Sequence, residues 1–255
     1  MEVTVLGSGT AIPSAERASP GYWVRVADEH LLLDGGTGTV HQLARAGGQL
    51  EAIDRMLYTH YHPDHVGDFP HVLFALRSPE LGRRRTLWVG GPRGLARHCR
   101  LLEELYGPWV GNLPFVLDLH ELAAETIDFG SWRLTARPVP HSDASLAYRI
   151  DALEGSVVYS GDTDYSEELI RLARGADLLV CECAFPDDHK VPGHLTPSLA
   201  GQLAAAAGVK RLLLTHFYPA CAGQDLLTPC QKYFAGEVLL ARDLMRLSVG
   251  TRGTQ

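Results

Sequence analysis

Short apolar runs recur along the chain, separated by Gly- and Pro-rich turns and by stretches with helical spacing. Residues 3–6, 22–26 and 30–33 read as strands, with a turn-rich stretch at 7–21. Residues 37–46 read as a helix, 56–59 as a buried strand, and about 67–76 as a second helix. Residues 86–89 read as a strand, followed by a helix over 92–105 opened by Pro92. Four more strands follow at 115–119, 132–139, 146–150 and 156–160, then a helix at 167–174. A strand at 178–181, an alanine-rich helix at 197–207 and strands at 212–215 and 238–241 complete the pattern. Strands mixed with helices on this scale predict an α/β architecture with covered sheets. No linker splits the chain, and no repeat with a period of roughly 20–50 residues is present. The expectation is one domain over 1–255, made of two strand–helix halves that change over near residues 120–130.

Five of these runs end in the same way. The run His-Leu-Leu-Leu ends at Asp34, Met-Leu-Tyr-Thr at His60, and Val-Val-Tyr-Ser-Gly at Asp162. Leu-Leu-Val-Cys ends at Glu182 and Leu-Leu-Leu-Thr at His216. Ligands of α/β sheets bind outside the carboxyl ends of the strands, so five polar groups leaving five strands there can share one cleft.

The densest group is His60-Tyr61-His62-Pro63-Asp64-His65. In extended backbone His60 and His62 project to one side. Pro63 disfavours helix at His62 and marks a turn, after which Asp64 and His65 open the next helix and point elsewhere. One loop thus offers two ligands to one metal ion and two to a neighbour. Imidazole and carboxylate suit zinc, manganese or iron. Two sites need more ligands than the loop holds, which calls for distant partners; His141, Asp162 and His216 are available.

Composition narrows the partners. The charge is −7, from 23 basic and 30 acidic residues, and the only lysines are Lys190, Lys210 and Lys232. A surface-wide attraction for nucleic acid or anionic membrane is excluded, leaving only local basic patches such as Arg83–Arg85. The five cysteines form no disulfide framework and read as reduced, buried thiols. No run approaches the roughly 18 apolar residues of a membrane span. The N-terminal residues lack a signal-peptide pattern, so the expected location is the cytoplasm.

Taken in order, Asp34-Gly-Gly, His60-x-His62-x-Asp64-His65, His141 in Pro-Val-Pro-His-Ser, Asp162 in Ser-Gly-Asp-Thr and His216 in Leu-Thr-His-Phe resemble the metallo-β-lactamase-fold hydrolases over essentially the whole chain. The resemblance implies a four-layer αββα sandwich with two divalent metal ions. It implies that His60, His62 and His141 hold one ion, that Asp64, His65 and His216 hold the other, and that Asp162 bridges them. Asp34 would orient the histidine loop from behind.

Within that group the chain is most similar to the ribonuclease Z branch. The likeness rests on Leu6-Gly-Ser-Gly-Thr-Ala-Ile-Pro-Ser, on Leu87-Trp-Val-Gly-Gly-Pro-Arg-Gly-Leu, on Cys181-Glu182-Cys183-Ala184-Phe185 and on Gly193-His194-Leu195-Thr196. It implies a Glu182–His194 pair in which His194 protonates the leaving group. Members that process tRNA carry a protruding arm, commonly between the third and fourth metal motifs. Only 20 residues separate His141 from Asp162, so no arm fits. The expected activity is that of an armless phosphodiesterase acting on an RNA end or a small or cyclic phosphate ester. Its nucleophile would be a hydroxide shared by two ions, zinc first among the candidates, with Asp64 handling the proton. Homodimers are common among such enzymes. Alternatives are hydrolysis of a lactone, thioester or carboxylic ester at the same centre, and a non-catalytic metal or nucleic-acid binding module. Di-iron oxygen reduction fits less well, because related proteins place Glu where His62 stands and add a flavin domain.

Overall fold

The computed structural model describes residues 1–250. The first half builds β1 (Glu2–Gly7), β2 (Gly21–Val26), β3 (Glu29–Leu33), β4 (Arg55–Leu57), β5 (Leu87–Pro92) and β6 (Leu117–Leu122). Between them run α1 (Thr39–Arg45), α2 (Pro63–Val66), α3 (Phe69–Leu76), α4 (Leu95–Tyr106) and α5 (Pro108–Gly111). The second half builds β7 (Glu125–Asp128), β8 (Trp132–Pro138), β9 (Leu146–Ala152), β10 (Gly155–Tyr159), β11 (Leu178–Glu182), β12 (Arg211–Thr215) and β13 (Glu237–Leu240). Its helices are α6 (Glu167–Ala173), α7 (Pro197–Ala207) and α8 (Leu227–Gln231), and β14 (Arg246–Ser248) follows.

Two seven-stranded sheets result, ordered β14-β1-β2-β3-β4-β5-β6 and β13-β12-β11-β10-β9-β8-β7. Strand alternation assigns the layers. Tyr22, Val24, Val26, Leu31, Leu33 and Leu57 face the second sheet and join its core. Their neighbours Trp23, Leu32 and Met56 face outward and pack with Leu43 of α1, Phe69 and Leu73 of α3 and Leu95 of α4. Leu169 and Leu172 of α6 and Leu203 of α7 cover the other face of the second sheet. The architecture is the αββα sandwich, with the change of sheet between β6 and β7.

Several elements differ from the sequence expectation. Pro92 ends β5 instead of opening a helix. Parallel pairing with β6 continues through Pro92 opposite Leu122, and α4 begins only after Gly94, whose φ of +107° glycine alone adopts freely. The helix expected over about 67–76 is α3, which starts at Phe69, and a separate short helix, α2, precedes it over Pro63–Val66. At the break, the Asp68 carboxylate accepts the backbone N–H groups of Gly38 and Val40. β7 escapes a hydrophobicity reading because it is a short, largely exposed edge strand. β14 leaves the second half to pair antiparallel with β1, a contact that exists only in three dimensions.

β3 to β6 are mutually parallel, as are β10 to β13. Asp34, the His60 loop, Asp162, Glu182 and His216 all lie at the carboxyl ends of these parallel strands, on one edge of the sandwich.

Candidate metal centre

Asp34 follows β3 directly and has φ +54°, an unusual conformation for a residue with a side chain. Its carboxylate is fully buried. It accepts the Thr59 backbone N–H (2.8 Å), the Thr59 hydroxyl (2.9 Å), His65 Nδ1–H (2.8 Å) and the Tyr159 hydroxyl (2.7 Å). With the Thr59 proton committed to Asp34, Thr59 Oγ1 accepts His60 Nδ1–H at 3.0 Å. One carboxylate therefore sets the tautomers of both His60 and His65, turning the bare Nε2 of each toward the cleft.

His141, three residues past β8, donates Nδ1–H to the Gly193 carbonyl at 2.8 Å and likewise exposes a bare Nε2. His62 Nδ1 lies 3.0 Å from His60 Nε2 and 3.1 Å from His141 Nε2. Two of these three nitrogens have their ring protons engaged elsewhere. Such a convergence of lone pairs is repulsive unless a cation or proton sits among them. Burial lowers His60, His62 and His141 below the ordinary imidazole range, which favours the neutral, ligating form.

On the other side, Asp64, His65 and His216 bring one ligand atom each within 4.8 Å of one another. Asp64 Oδ2 is 3.8 Å from His65 Nε2 and 3.5 Å from His216 Nε2. His216 follows β12 with φ +62°. Asp162 stands between the two groups. Its Oδ2 faces His60 Nε2 (3.9 Å) and His141 Nε2 (3.7 Å), while Oδ1 faces His65 Nε2 (3.3 Å) and His216 Nε2 (3.4 Å). Burial alone would raise this carboxyl, but the imidazoles of His216, His65 and His60 hold it well below the ordinary range. Among the described residues, His65 Nε2, Asp162 Oδ1 and both ring nitrogens of His216 are buried without a hydrogen-bond partner. Buried polar atoms are nearly always satisfied, so this concentration of bare donors at one point fits divalent cations.

Glu182, the last residue of β11, is buried. Its Oε1 accepts the Thr163 N–H (2.7 Å) and His194 Nδ1–H (3.0 Å), and its Oε2 accepts the Leu195 N–H (3.0 Å). Burial pushes its carboxyl up. Burial pulls the His194 imidazole down, but the hydrogen bond and charge of Glu182 outweigh it and carry the ring above its ordinary value. A His194 ring nitrogen lies within 4.8 Å of ligand atoms of Asp162 and His216.

The structure thus brings together Asp34, His60, His62, Asp64, His65, His141, Asp162, Glu182, His194 and His216. Other histidines, the Arg83 guanidinium and the thiols lie apart from this group. Arg83 is buried, with its guanidinium on the carbonyls of Glu51, Ile53 and Thr86. His98 stacks on Tyr61, His120 stacks on Trp88, and His189 pairs with Asp188 at the surface. Cys181 and Cys183 are free, buried thiols whose ionisation burial suppresses. Thr59, Tyr159 and Gly193 carry contacts that no motif announced. Thr59 adjoins the histidine run and could have been suspected, whereas a backbone carbonyl such as that of Gly193 leaves no sequence signal.

A family model described as a beta-lactamase superfamily domain matches residues 29–217, from β3 to the loop after β12. The chain belongs to this family. It is a hydrolase of the metallo-β-lactamase fold, and its His/Asp clusters are suited to divalent metal. An uncharacterized protein of Mycobacterium tuberculosis, Rv1339, is 30% identical over 243 residues, covering 93% of this chain and 88% of that one. The ribonuclease Z of Methanothermobacter thermautotrophicus is 28% identical over 302 residues, covering 98% of this chain and 97% of that enzyme. The crystal structure of YhfI from Bacillus subtilis, a metallo-beta-lactamase fold protein, superposes with a TM-score of 0.84 at 27% identity. It covers 96% of this chain and 98% of that chain. Among the described residues no helix is long and apolar enough to cross a membrane.

Proposed function

We propose that this superfamily member hydrolyses phosphodiesters, and that its substrate is a small or cyclic phosphate ester or an accessible RNA end. His60, His62, His141 and Asp162 would hold one divalent ion, and Asp64, His65, His216 and Asp162 a second, with zinc the expected metal. Ions bound there supply acidity to water and positive charge to an anionic phosphoryl group.

The protein's own residues supply the rest. Asp64, facing His65 and His216, holds the proton of the attacking water. His194 presents one ring nitrogen toward the centre and anchors the other on Glu182, so a proton can pass to the departing alkoxide. Glu182 holds the ring's orientation and stabilises its charged form. The single observation that carries this reading is the pairing of half-buried His194 with buried Glu182, set against the Asp162–His216 edge. An alkoxide leaving phosphorus needs that proton, whereas a lactone or thioester depends on it less. The ribonuclease Z name of the archaeal relative points the same way.

The β9–β10 connection supports a small substrate. Those strands form an antiparallel hairpin joined through Leu153 and Glu154, in the stretch where tRNA-gripping members carry their arm. The alignment with the archaeal ribonuclease Z spans more positions than the 255 residues of this chain, so that enzyme has segments without a counterpart here. A folded tRNA would lack its usual handle. The deciding experiment sets the metal-loaded protein against bis-(4-nitrophenyl) phosphate and a simple lactone in parallel. Faster turnover of the phosphodiester is expected; turnover of the lactone alone overturns the reading.

A further inference from the structure

Asp164 lies two residues beyond Asp162 and belongs to none of the motifs above, yet it ties its own segment to two others at the site. Its backbone N–H donates to the carbonyl of Pro140, the residue before His141, at 2.8 Å. Its Oδ2 accepts the Gly193 N–H at 2.8 Å and the Lys190 ammonium at 2.9 Å. Its Oδ1 accepts the Tyr165 N–H at 2.8 Å, which fixes the carboxylate's own direction. Lys190 also donates to the Val191 carbonyl, which in turn accepts the His194 N–H.

Gly193 is the junction. Its N–H is held by Asp164 and its carbonyl by His141 Nδ1–H. Its φ of +85° suits glycine, and a Cβ there would stand 3.4 Å from His141 Nδ1. The next residue is His194. The backbone at Gly193 therefore sets two things at once: the tautomer of a candidate metal ligand and the start of the segment that carries the candidate proton donor.

We infer that Asp164 is a positioning residue that holds Gly193 in place and so couples the metal-facing nitrogen of His141 to the placement of His194. The coupling runs from Asp164 through the Gly193 N–H, across that residue to its carbonyl, and into the His141 ring. Loss of the Asp164 carboxylate frees the Gly193 segment to rotate. His141 then loses the acceptor that keeps its proton on Nδ1, and His194 loses the fixed chain that seats it on Glu182. Lys190 supports the arrangement by neutralising the Asp164 charge near the carboxylates of the centre.

This inference rests on the proposed ligand role of His141 and the proposed acid role of His194, and its test separates them. Asp164→Ala, Asp164→Asn and the unaltered protein are compared for metal affinity in competition with a chelator, without substrate. The same proteins are assayed for kcat and KM on an activated aryl phosphodiester and on an alkyl phosphodiester. Asp164→Ala is expected to lose roughly 10–100-fold in metal affinity, the range seen when groups behind a metal ligand are removed. Its kcat should fall more on the alkyl ester than on the aryl ester, with KM little changed. Asp164→Asn keeps an oxygen for the Gly193 N–H and should recover most of the affinity, a rescue that simple loss of folding would not show. Unchanged metal affinity in Asp164→Ala, or an Asn variant as impaired as the Ala variant, overturns the inference. If the unaltered protein cleaves neither ester, the phosphodiester reading fails while the metal competition still decides the role of Asp164.

Discussion

His194 shows how much one side chain's surroundings decide. A histidine in a Pro-Gly-His turn is ordinarily a surface residue, but here a carboxylate buried beneath it raises its affinity for a proton. If it donates that proton to the leaving oxygen, His194→Ala costs about 10²–10⁴ in kcat on an alkyl phosphodiester. The loss should be much smaller on an activated aryl ester, whose leaving group departs unprotonated. Metal content should be unaffected. Parallel rate measurements on the two esters check this, and equal losses on both exclude the proton-donor role. Asp34 makes the complementary point. It is fully buried, yet its four hydrogen bonds aim two histidines at the centre. A motif places Asp34 beside Gly35-Gly36; only the folded chain shows which groups it holds.

At the scale of elements, the carboxyl ends of β10, β11 and β12 carry Asp162, Glu182 and His216, so the alignment of these strands sets the site. Asp177 clamps their opposite ends. It precedes β11, accepts the N–H and hydroxyl of Ser156 in β10, and pairs with Lys210 just before β12. Burial would raise its carboxyl, but these bonds hold it below the ordinary value. Because the folded-state value is the lower one, the clamp's stability is fully present above the unfolded-state value. It is lost as pH falls through the folded-state value. Asp177→Asn should therefore be less stable than the parent at neutral pH, with the gap closing in acid. Urea midpoints across that range measure it; a gap that stays constant or widens in acid contradicts the assignment. Strand periodicity shows β10 to β12 well in the sequence, because parallel strands buried on both faces are continuous apolar runs. β7 and β14 were invisible for the opposite reason, being short edges with polar residues.

For the whole molecule, the centre lies where the two sheets meet. His60, His62, Asp64 and His65 come from the first sheet's loops, and His141, Asp162 and His216 from the second's. Ions bound among them would tie the halves together, and the unpartnered nitrogens would otherwise remain buried at a cost. Stripping metal with a chelator should lower the melting temperature, and adding it back should restore it. Free ion at 100 times its dissociation constant stabilises a folded chain by about 2.7 kcal/mol. Identical melting curves with and without chelator would mean that no ion occupies the centre.

The sequence by itself determined the α/β class, the changeover between halves and the identity of the residues that gather at the site. Alternation of apolar residues and the clustering of imidazoles and carboxylates at strand ends are local properties, written in consecutive residues. Tertiary structure alone decided which oxygen of Asp162 faces which histidines, which ring nitrogen of each histidine stays bare, and that Asp164 reaches Gly193. Those outcomes depend on hydrogen bonds between residues tens of positions apart, and on backbone carbonyls that every residue possesses, so no pattern of side chains could announce them.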